Sequence, residues 1–249
     1  MSPVLGNVAD ERHSGRDAQE GKTVVFDFHT HTFLSDGALL PMESIRRAVV
    51  NGYQAIGLTD HAAPSNMERV INELRRECRL VGQYWPIQAI PGVELTHVPA
   101  GAIPELAAEA RRLGARLVVV HGETLVEPVE PGTNQAAAGC RDVDILAHPG
   151  LLTPETARLA AQNGVFIEVT ARGGHNVSNG HVVQVGRAAG VQFLVDSDAH
   201  EPEDLLTADW ARLVARGAGL DEAEAAAALQ RNPLRLLERI AAGRNVPGC

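Results

Sequence analysis

Short apolar segments alternate with amphipathic helical segments from residue 23 onwards, and this alternation constrains the fold more than any other feature of the chain. The apolar segments are rich in Val, Ile and Leu, and they have the length and composition of buried parallel strands. The sequence predicts strands at residues 23–29, 55–60, 87–95, 116–122, 144–149, 165–170 and 192–198. The stretches between them are amphipathic and mostly end in Gly, as the helices of βα units do. An α/β fold with parallel strands follows.

Polar residues at the carboxyl ends of these strands decide between a closed barrel and an open sheet. Almost every predicted strand ends in His, Asp or Glu. A barrel brings all its strand ends to one mouth, whereas an open sheet serves its ligand from a few loops. We therefore expect a single domain from residue 23 to residue 249, a distorted (β/α)7 barrel. Residues 221–242 read as one or two further helices, broken at Asn232-Pro233, that pack outside the barrel.

Composition argues against several other classes of protein. Residues 1–22 are polar and lack the apolar core of a signal peptide, so we expect a disordered leader. No segment reaches about 18 uninterrupted apolar residues, which predicts no membrane span. Three widely spaced cysteines argue against a disulfide framework and favour a cytoplasmic location. A net charge of −9 without a basic tract predicts no extended nucleic-acid interface, and the oligomeric state stays open.

Two pairs of polar residues lie where the first and the last predicted strands end. His29 is paired with His31, and Asp198 with His200. Residues i and i+2 of a strand project to the same side, so both members of each pair face one ion. Six histidines and three carboxylates at equivalent strand ends favour a metal site over isolated structural histidines. Nitrogen and oxygen ligands without sulfur suit Zn, Mn or Fe.

Six motifs, in this order, resemble those of the polymerase and histidinol phosphatase (PHP) superfamily. They are HTHTFLSDG (29–37), TDH (59–61), GVE (92–94), the HG and HPG histidines at 121 and 148, and DSDAH (196–200). The resemblance covers residues 23 to about 205, and the ordered combination is far more specific than any one motif. It implies a distorted seven-stranded β/α barrel with a trinuclear metal centre and phosphoesterase activity.

The resemblance also implies the ligands of two to three divalent ions. By ion, they are His29, His31, Glu94 and Asp198; Glu94 with His121 and His148; and Asp36, His61 and His200. Glu94 is the bridging residue, because a carboxylate can span two ions about 3.5 to 4 Å apart. Such a site implies hydrolysis of a small phosphorylated substrate, such as histidinol phosphate or a nucleotide, by a hydroxide that bridges two ions.

The Gly-rich turn after the sixth strand carries two more residues that we assign to catalysis beside Glu94. Arg172 and His175 either lie over the mouth, clamping phosphate and protonating the leaving group, or belong to a solvent-exposed loop. The first interpretation predicts a preference for phosphate monoesters, because a terminal phosphate carries an extra charge.

Several polar residues near the predicted site have both a functional and a structural interpretation. Glu168 is either an extra carboxylate behind the ligands or a hydrogen-bonded residue inside the barrel. Asp60 and Asp196 either orient ligand imidazoles or stabilise turns. The loop ETLVEPVEPGTN after the fourth strand is mainly a rigid connector. The remaining histidines are expected at the surface: His13, His97 and His181.

Three other functions stay open. A phosphodiesterase or exonuclease acting on nucleotides would use the same site. An amidohydrolase also opens with HxH, but its binuclear form needs a lysine on a strand, and Lys22 precedes the first strand. Asp36 and the Asp198-His200 pair exceed what a mononuclear amidohydrolase needs. A structural metal-binding PHP module is the alternative without catalysis, and the full ligand set argues against it.

Overall fold

The computed structural model describes residues 24–243, where the predicted alternation of strands and helices is present. The strands are β1 (Val25–Thr30), β2 (Tyr53–Leu58), β3 (His61–Ala62), β4 (Gln88–Leu95), β5 (Leu117–His121), β6 (Ile145–Ala147), β7 (Phe166–Thr170) and β8 (Phe193–Asp196). The helices are α1 (Pro41–Val50), α2 (Met67–Tyr84), α3 (Ile103–Leu113), α4 (Thr133–Gly139), α5 (Pro154–Asn163), α6 (Asn179–Ala189), α7 (Ala208–Gly217), α8 (Glu222–Ala226) and α9 (Asn232–Ala242). The expected leader, residues 1–22, lies outside the described residues.

The strands form a parallel sheet in the order β1-β2-β4-β5-β6-β7-β8, and the two-residue strand β3 adds a short pair to β4. Neighbouring residues of a strand alternate between two apolar clusters. Val119 belongs to an inner cluster built from all seven long strands, whereas Val118 and Val120 pack towards the helices. This alternation, with helices outside and apolar side chains inside, confirms the predicted single-domain distorted (β/α)7 barrel.

The barrel closes where β1 meets β8, and the upper half of this seam is made by backbone groups. Thr30 forms a parallel bridge with Ala199. The N–H of Asp198 donates to the carbonyl of His29 at 2.9 Å, and the N–H of His31 donates to the carbonyl of Ala199 at 2.8 Å. The first and last strand ends are therefore fixed side by side.

Two buried carboxyl groups complete the lower half of the seam. Asp196 accepts a hydrogen bond from the N–H of Phe28 at 2.7 Å, and Asp27 accepts from the N–H of Ser197 at 3.0 Å. The hydroxyl of Tyr53 also donates to Asp27, at 3.0 Å. Burial raises the pKa of Asp27 to about 6 and that of Asp196 well above its usual range. Side chains thus replace part of the ladder between β1 and β8.

Helix α9 closes the amino-terminal end of the barrel, which corrects the expectation that the tail packs outside it. The side chains of Leu236, Leu237 and Ile240 join the inner apolar cluster. The guanidinium of Arg239 anchors the helix by donating to the carboxylate of Asp144 at 3.0 Å. An open barrel end leaves apolar side chains exposed to water, and an amphipathic helix covers them.

The predicted break at Asn232-Pro233 is absent, because residues 222–242 are helical throughout and only the type of helix changes at Asn232. A π-helical turn, Ala227–Arg231, leads directly into α9, and Pro233 lies in the first turn of α9, where a proline is tolerated. Helix α4 is a short helix that the sequence analysis did not predict. Within residues 24–243, no helix combines the length and the apolar character that crossing a bilayer requires.

The packing of α9 generates a stability prediction. Leu236→Ala should lower the free energy of unfolding by about 2 to 5 kcal/mol, because it leaves a cavity in the inner cluster. Leu234 lies on the same helix and is 44% exposed, so Leu234→Ala should change it by less than about 0.5 kcal/mol. Urea denaturation of both variants checks this expectation. Equal losses would contradict the placement of α9 against the barrel interior.

Candidate metal centre

The predicted ligands lie together at the carboxyl ends of the strands. Each reaches the mouth from a strand end or from the loop that follows it: His29 on β1, His31 and Asp36 after β1, His61 on β3, Glu94 on β4, His121 on β5, His148 after β6, and Asp198 and His200 after β8. Their nitrogen and oxygen atoms form overlapping groups whose members lie within 4.8 Å of one another. The mouth therefore gathers nine side chains that can bind cations.

The first strand supplies the centre of the cluster. The Nε2 of His29 lies 3.2 Å from Oε1 of Glu94 and 3.1 Å from Nε2 of His31. The Nε2 of His31 lies 3.1 Å from Oδ1 of Asp198. Two ligand atoms that bind one ion at about 2.1 Å are themselves about 3.0 to 3.4 Å apart. These spacings fit a shared ion.

Two other ligand groups adjoin this centre. Glu94, His121 and His148 form one of them, with buried side chains. The other is built around Asp36, whose Oδ2 lies 3.3 Å from Nε2 of His200 and 3.6 Å from Nδ1 of His61. Asp36 is half exposed, so this second group opens towards solvent.

The grouping differs in two details from the assignment that the family resemblance implied. Asp198 groups with His29 and His148, because its Oδ2 lies 3.6 Å from Nε2 of His148. His31 joins the group around Asp36, although the distance between its Nδ1 and Oδ1 of Asp36 is 3.9 Å. The ligand groups therefore share more residues than three separate metal sites would.

Buried ligand atoms without hydrogen bonds support a metal at this mouth. Both ring nitrogens of His148 and the Nδ1 of His31 are buried and have no hydrogen-bond partner, and Oε1 of Glu94 has none of suitable geometry. A buried polar atom without a partner costs about 1 to 3 kcal/mol. Because divalent cations bind such nitrogen and carboxylate oxygen atoms, the residues present fit a metal centre.

The charges of the mouth also fit cation binding. Burial raises the pKa of Glu94 and Asp198, but the neighbouring imidazoles outweigh it and hold both pKa values below the usual range. Burial lowers the pKa of His148 well below its ordinary value, so this ring is neutral. Burial lowers the pKa of His61, but the hydrogen bond to Glu94 and the charges of the neighbouring carboxylates together outweigh burial and raise that pKa to about 9. Ionised carboxylates and a neutral imidazole are the forms that bind metals.

Glu168 and two aspartates lie behind the ligands with different roles. Oε2 of Glu168 lies 2.7 Å from Nδ1 of His29, which directs Nε2 of that ring towards the mouth. Asp60 binds no ligand imidazole among its described contacts; it accepts hydrogen bonds from Thr32 and Ser35 in the loop after β1. Asp196 bonds the backbone of β1. The structure therefore favours the functional interpretation for Glu168 and the structural one for both aspartates.

Three non-glycine residues with positive φ within residues 24–243 all lie at this mouth. They are His97 (φ 53), His148 (φ 25) and Asp198 (φ 53). Such conformations cost on the order of 1 to 3 kcal/mol each and persist only where the surrounding structure imposes them. The backbone is thus held in strained conformations where it presents candidate ligands.

Two residues at the mouth were missed or assigned to the surface. Oε2 of Glu127, in the loop after β5, lies 3.0 Å from Nε2 of both His97 and His121. Its loop, interpreted mainly as a connector, therefore reaches the site. His97 is exposed as expected, yet it faces the cluster. The rule that loops after barrel strands surround the mouth would have drawn attention to both.

The structure separates the two residues of the Gly-rich turn. His175 is buried, its ring stacks on that of His148 with 4.4 Å between centroids, and its Nδ1 lies 2.6 Å from the hydroxyl oxygen of Thr124. The guanidinium of Arg172 instead pairs with Asp204 at 3.0 Å. His175 therefore adjoins the cluster, whereas the described contacts of Arg172 do not reach it.

Comparison with known proteins identifies the family. A family model described as the PHP domain matches residues 27–197. The chain is 48% identical over 216 residues to an uncharacterised protein of Methanocaldococcus jannaschii, covering 86% of this chain and 99% of that protein. It is 24% identical over 198 residues to the DNA polymerase/3'-5' exonuclease PolX of Bacillus subtilis, covering 72% of this chain and 35% of PolX. The chain thus spans about a third of PolX.

A solved structure shows the same architecture. The crystal structure of a Listeria monocytogenes protein regarded as a histidinol phosphatase aligns with 72% of this chain and 96% of its own, at a TM-score of 0.53 and 12% identity. At this identity the likeness concerns the fold alone. The fold and the site are those of a metal-dependent hydrolase. The chain belongs to the PHP domain family, as its motifs and its matching family model agree.

The ligand groups generate a prediction about metal content. The protein saturated with Zn²⁺ or Mn²⁺ should hold about two to three ions, because nine ligands exceed the coordination of one ion. Chelation should lower the melting temperature, since the ions bind only the folded chain. Elemental analysis and thermal melts check both. A saturated protein with at most one ion would contradict the multinuclear site.

The contact between Glu168 and His29 generates a second prediction. Glu168→Gln should weaken metal binding by about 10- to 100-fold, because the ring of His29 loses the carboxylate that orients it. Glu43→Gln, on the exposed face of α1, is the matched control and should leave affinity unchanged. Competition with a chelator of known affinity measures both. Equal affinities would assign Glu168 to the barrel interior alone.

Proposed function

We propose that this protein hydrolyses small phosphate monoesters at the metal centre. The observation that carries the proposal is the convergence of the nine ligand side chains, with buried atoms that lack hydrogen-bond partners, at one barrel mouth. When bound, divalent ions supply Lewis acidity, which lowers the pKa of water and neutralises charge on phosphate oxygens. Membership of the PHP domain family supports a hydrolase, and the phosphate ester is our more specific inference.

The charge of the mouth favours an anionic substrate only in the presence of cations. Glu94, Asp198 and Glu168 are buried there, and Asp36 and Glu127 line its edge. Carboxylates repel a phosphate group, so phosphate binds only where cations outweigh them. Such a mouth selects a substrate that contacts the ions directly. A long polyanion would instead need a basic surface, and the chain has no basic tract.

His175 is the residue that we place at the leaving group. The contact between its Nδ1 and Thr124 leaves Nε2 facing the mouth, 3.3 Å from Oε1 of Glu127. Burial lowers the pKa of His175, which favours the neutral ring, so His175 donates a proton to a leaving group only after it has taken one up at Nε2. Arg172 contacts phosphate only if its pair with Asp204 opens. We therefore propose Arg172 as an auxiliary contact.

The alternative reaction is cleavage of a phosphodiester. The Bacillus subtilis relative is named as a polymerase with a 3'-5' exonuclease, and this observation favours a diester or nucleotide substrate for this chain as the second candidate. A structural metal-binding module would retain the ions without turnover. We place the reaction in the cytoplasm, in keeping with the thiols of Cys78 and Cys140, which lie buried in the core.

The metal-reconstituted protein should hydrolyse phosphomonoesters, such as histidinol phosphate and mononucleotides, faster than dinucleotides or bis-p-nitrophenyl phosphate. His148→Ala should lower kcat/KM for the best substrate by on the order of 100-fold or more, because it removes a ligand. The Nε2 of His181 donates to the carbonyl of Leu152, away from the metal ligands, so His181→Ala is the control and should stay within about threefold. Release of inorganic phosphate and loss of substrate measure the rates.

Three other results would each contradict one part of the proposed function. Faster cleavage of diesters would replace the monoester assignment by the second candidate. Absence of hydrolysis by protein of verified metal content would favour the structural module. Equal losses in His148→Ala and His181→Ala would mean that the cluster is not the reaction site.

A further inference from the structure

A further group of side chains lies at the rim of the mouth and combines one predicted ligand, His121, with two residues that are not among the nine, His97 and Glu127. Its carboxylate is Glu127, whose Oε2 lies 3.0 Å from Nε2 of His97 and 3.0 Å from Nε2 of His121. The ligand atoms of these three residues lie within 4.8 Å of one another. Two imidazoles and one carboxylate at such spacings are a common ligand set of zinc. We call His97, His121 and Glu127 the rim group.

The loop that carries Glu127 is held in place by its own hydrogen bonds. Oε1 of Glu123 accepts from the N–H groups of Gly132 and Asn134, at 3.0 and 2.9 Å. A carboxylate oxygen of Glu130 accepts from the N–H of Ala100 at 2.8 Å, which joins the loop to the segment that follows His97. The carboxylate of Glu127 is therefore positioned before any ligand binds, and preorganisation lowers the cost of binding.

His121 belongs both to the rim group and to the inner group that contains Glu94 and His148. Its Nδ1 lies 3.1 Å from the carbonyl oxygen of Gly122, and since a carbonyl only accepts, this nitrogen carries the proton. Only Nε2 has a lone pair for a metal. One lone pair binds one ion, so His121 can complete the inner group or the rim group, but not both.

We propose that His97, His121 and Glu127 form an additional cation site, which competes with the inner Glu94–His121–His148 group for His121. The two groups differ in burial: Glu94 and His148 are buried, whereas His97 is 40% and Glu127 37% exposed. Exposed ligands keep more of their hydration and are less tightly held, so the inner group binds first. The rim site fills when zinc is in excess.

The proposal adds a consequence for activity, and this part rests on the proposed function. An ion at the rim withdraws His121 from the inner group, so excess zinc should inhibit the enzyme. His97 is not among the nine predicted ligands. His97→Ala should therefore raise the zinc concentration that causes half inhibition by at least about tenfold, on the scale of one lost metal ligand.

Zinc binding tests the site independently of catalysis. In His148→Ala the inner group lacks a ligand, so His121 is available to the rim. Equilibrium dialysis with Zn²⁺ should then count one ion fewer in His148→Ala/His97→Ala than in His148→Ala. The matched control, His148→Ala/His181→Ala, should bind as many ions as His148→Ala alone. Circular dichroism and thermal melts check that each variant is folded, and His148→Gln provides a second background if the alanine variant does not melt cooperatively.

The loop offers a second matched pair in the same background. Glu127→Gln should remove the same ion, whereas Glu130→Gln, three residues further along the loop, should not. Unchanged zinc counts in both the His97 and Glu127 variants would overturn the rim site. An equal loss of zinc in the control variants would show that the lost ion was not bound by His97 and Glu127, and would also overturn the rim site. A lost ion in a protein that hydrolyses no phosphate ester would support the rim site and contradict the proposed function, so the two failures are distinguishable.

Discussion

Closure of β1 against β8 is the constraint on which the candidate site depends. His29 and His31 come from the first strand, and Asp198 and His200 follow the last, so these ligands meet only when the seam forms. Backbone hydrogen bonds make the upper part of the seam, next to the ligands. The buried carboxyl groups of Asp27 and Asp196 make the lower part, where they accept from backbone N–H groups. Fold and site are therefore completed in the same step.

The site concentrates groups that are unfavourable in a protein interior without cations. Three buried carboxylates surround the ring of His29, both nitrogens of the His148 ring lack partners, and positive φ angles add strain. Burial of apolar residues such as Phe28 and Val119 beneath the polar mouth offsets this unfavourable free energy. The apolar interior of the barrel therefore stabilises the fold, whereas the carboxyl ends of the strands carry the ligand atoms that lack partners.

Sequence reasoning succeeded where the relevant signal is local. Strand ends follow from apolar runs, and the period of two places each of the pairs His29-His31 and Asp198-His200 on one side of its strand. The full set of nine ligands came from the resemblance to the PHP superfamily, and it stays a prediction. The path of a loop in space has no comparable periodicity, and the position of Glu127 was therefore missed. The same reason explains Asp60, whose partners Thr32 and Ser35 lie in another loop. The apolar face of helix α9 can be predicted from the sequence, but the surface against which that face packs cannot.

The position of α9 bears on how the chain reaches this structure during synthesis. The inner cluster receives Leu236, Leu237 and Ile240 only after all seven long strands have been made. A nascent chain that ends before residue 232 can pair its strands, but the floor of its barrel is open to water. Apolar side chains from every strand are then accessible to chaperones or to other nascent chains. The packing of the last helix therefore marks the point in synthesis at which these apolar side chains become buried.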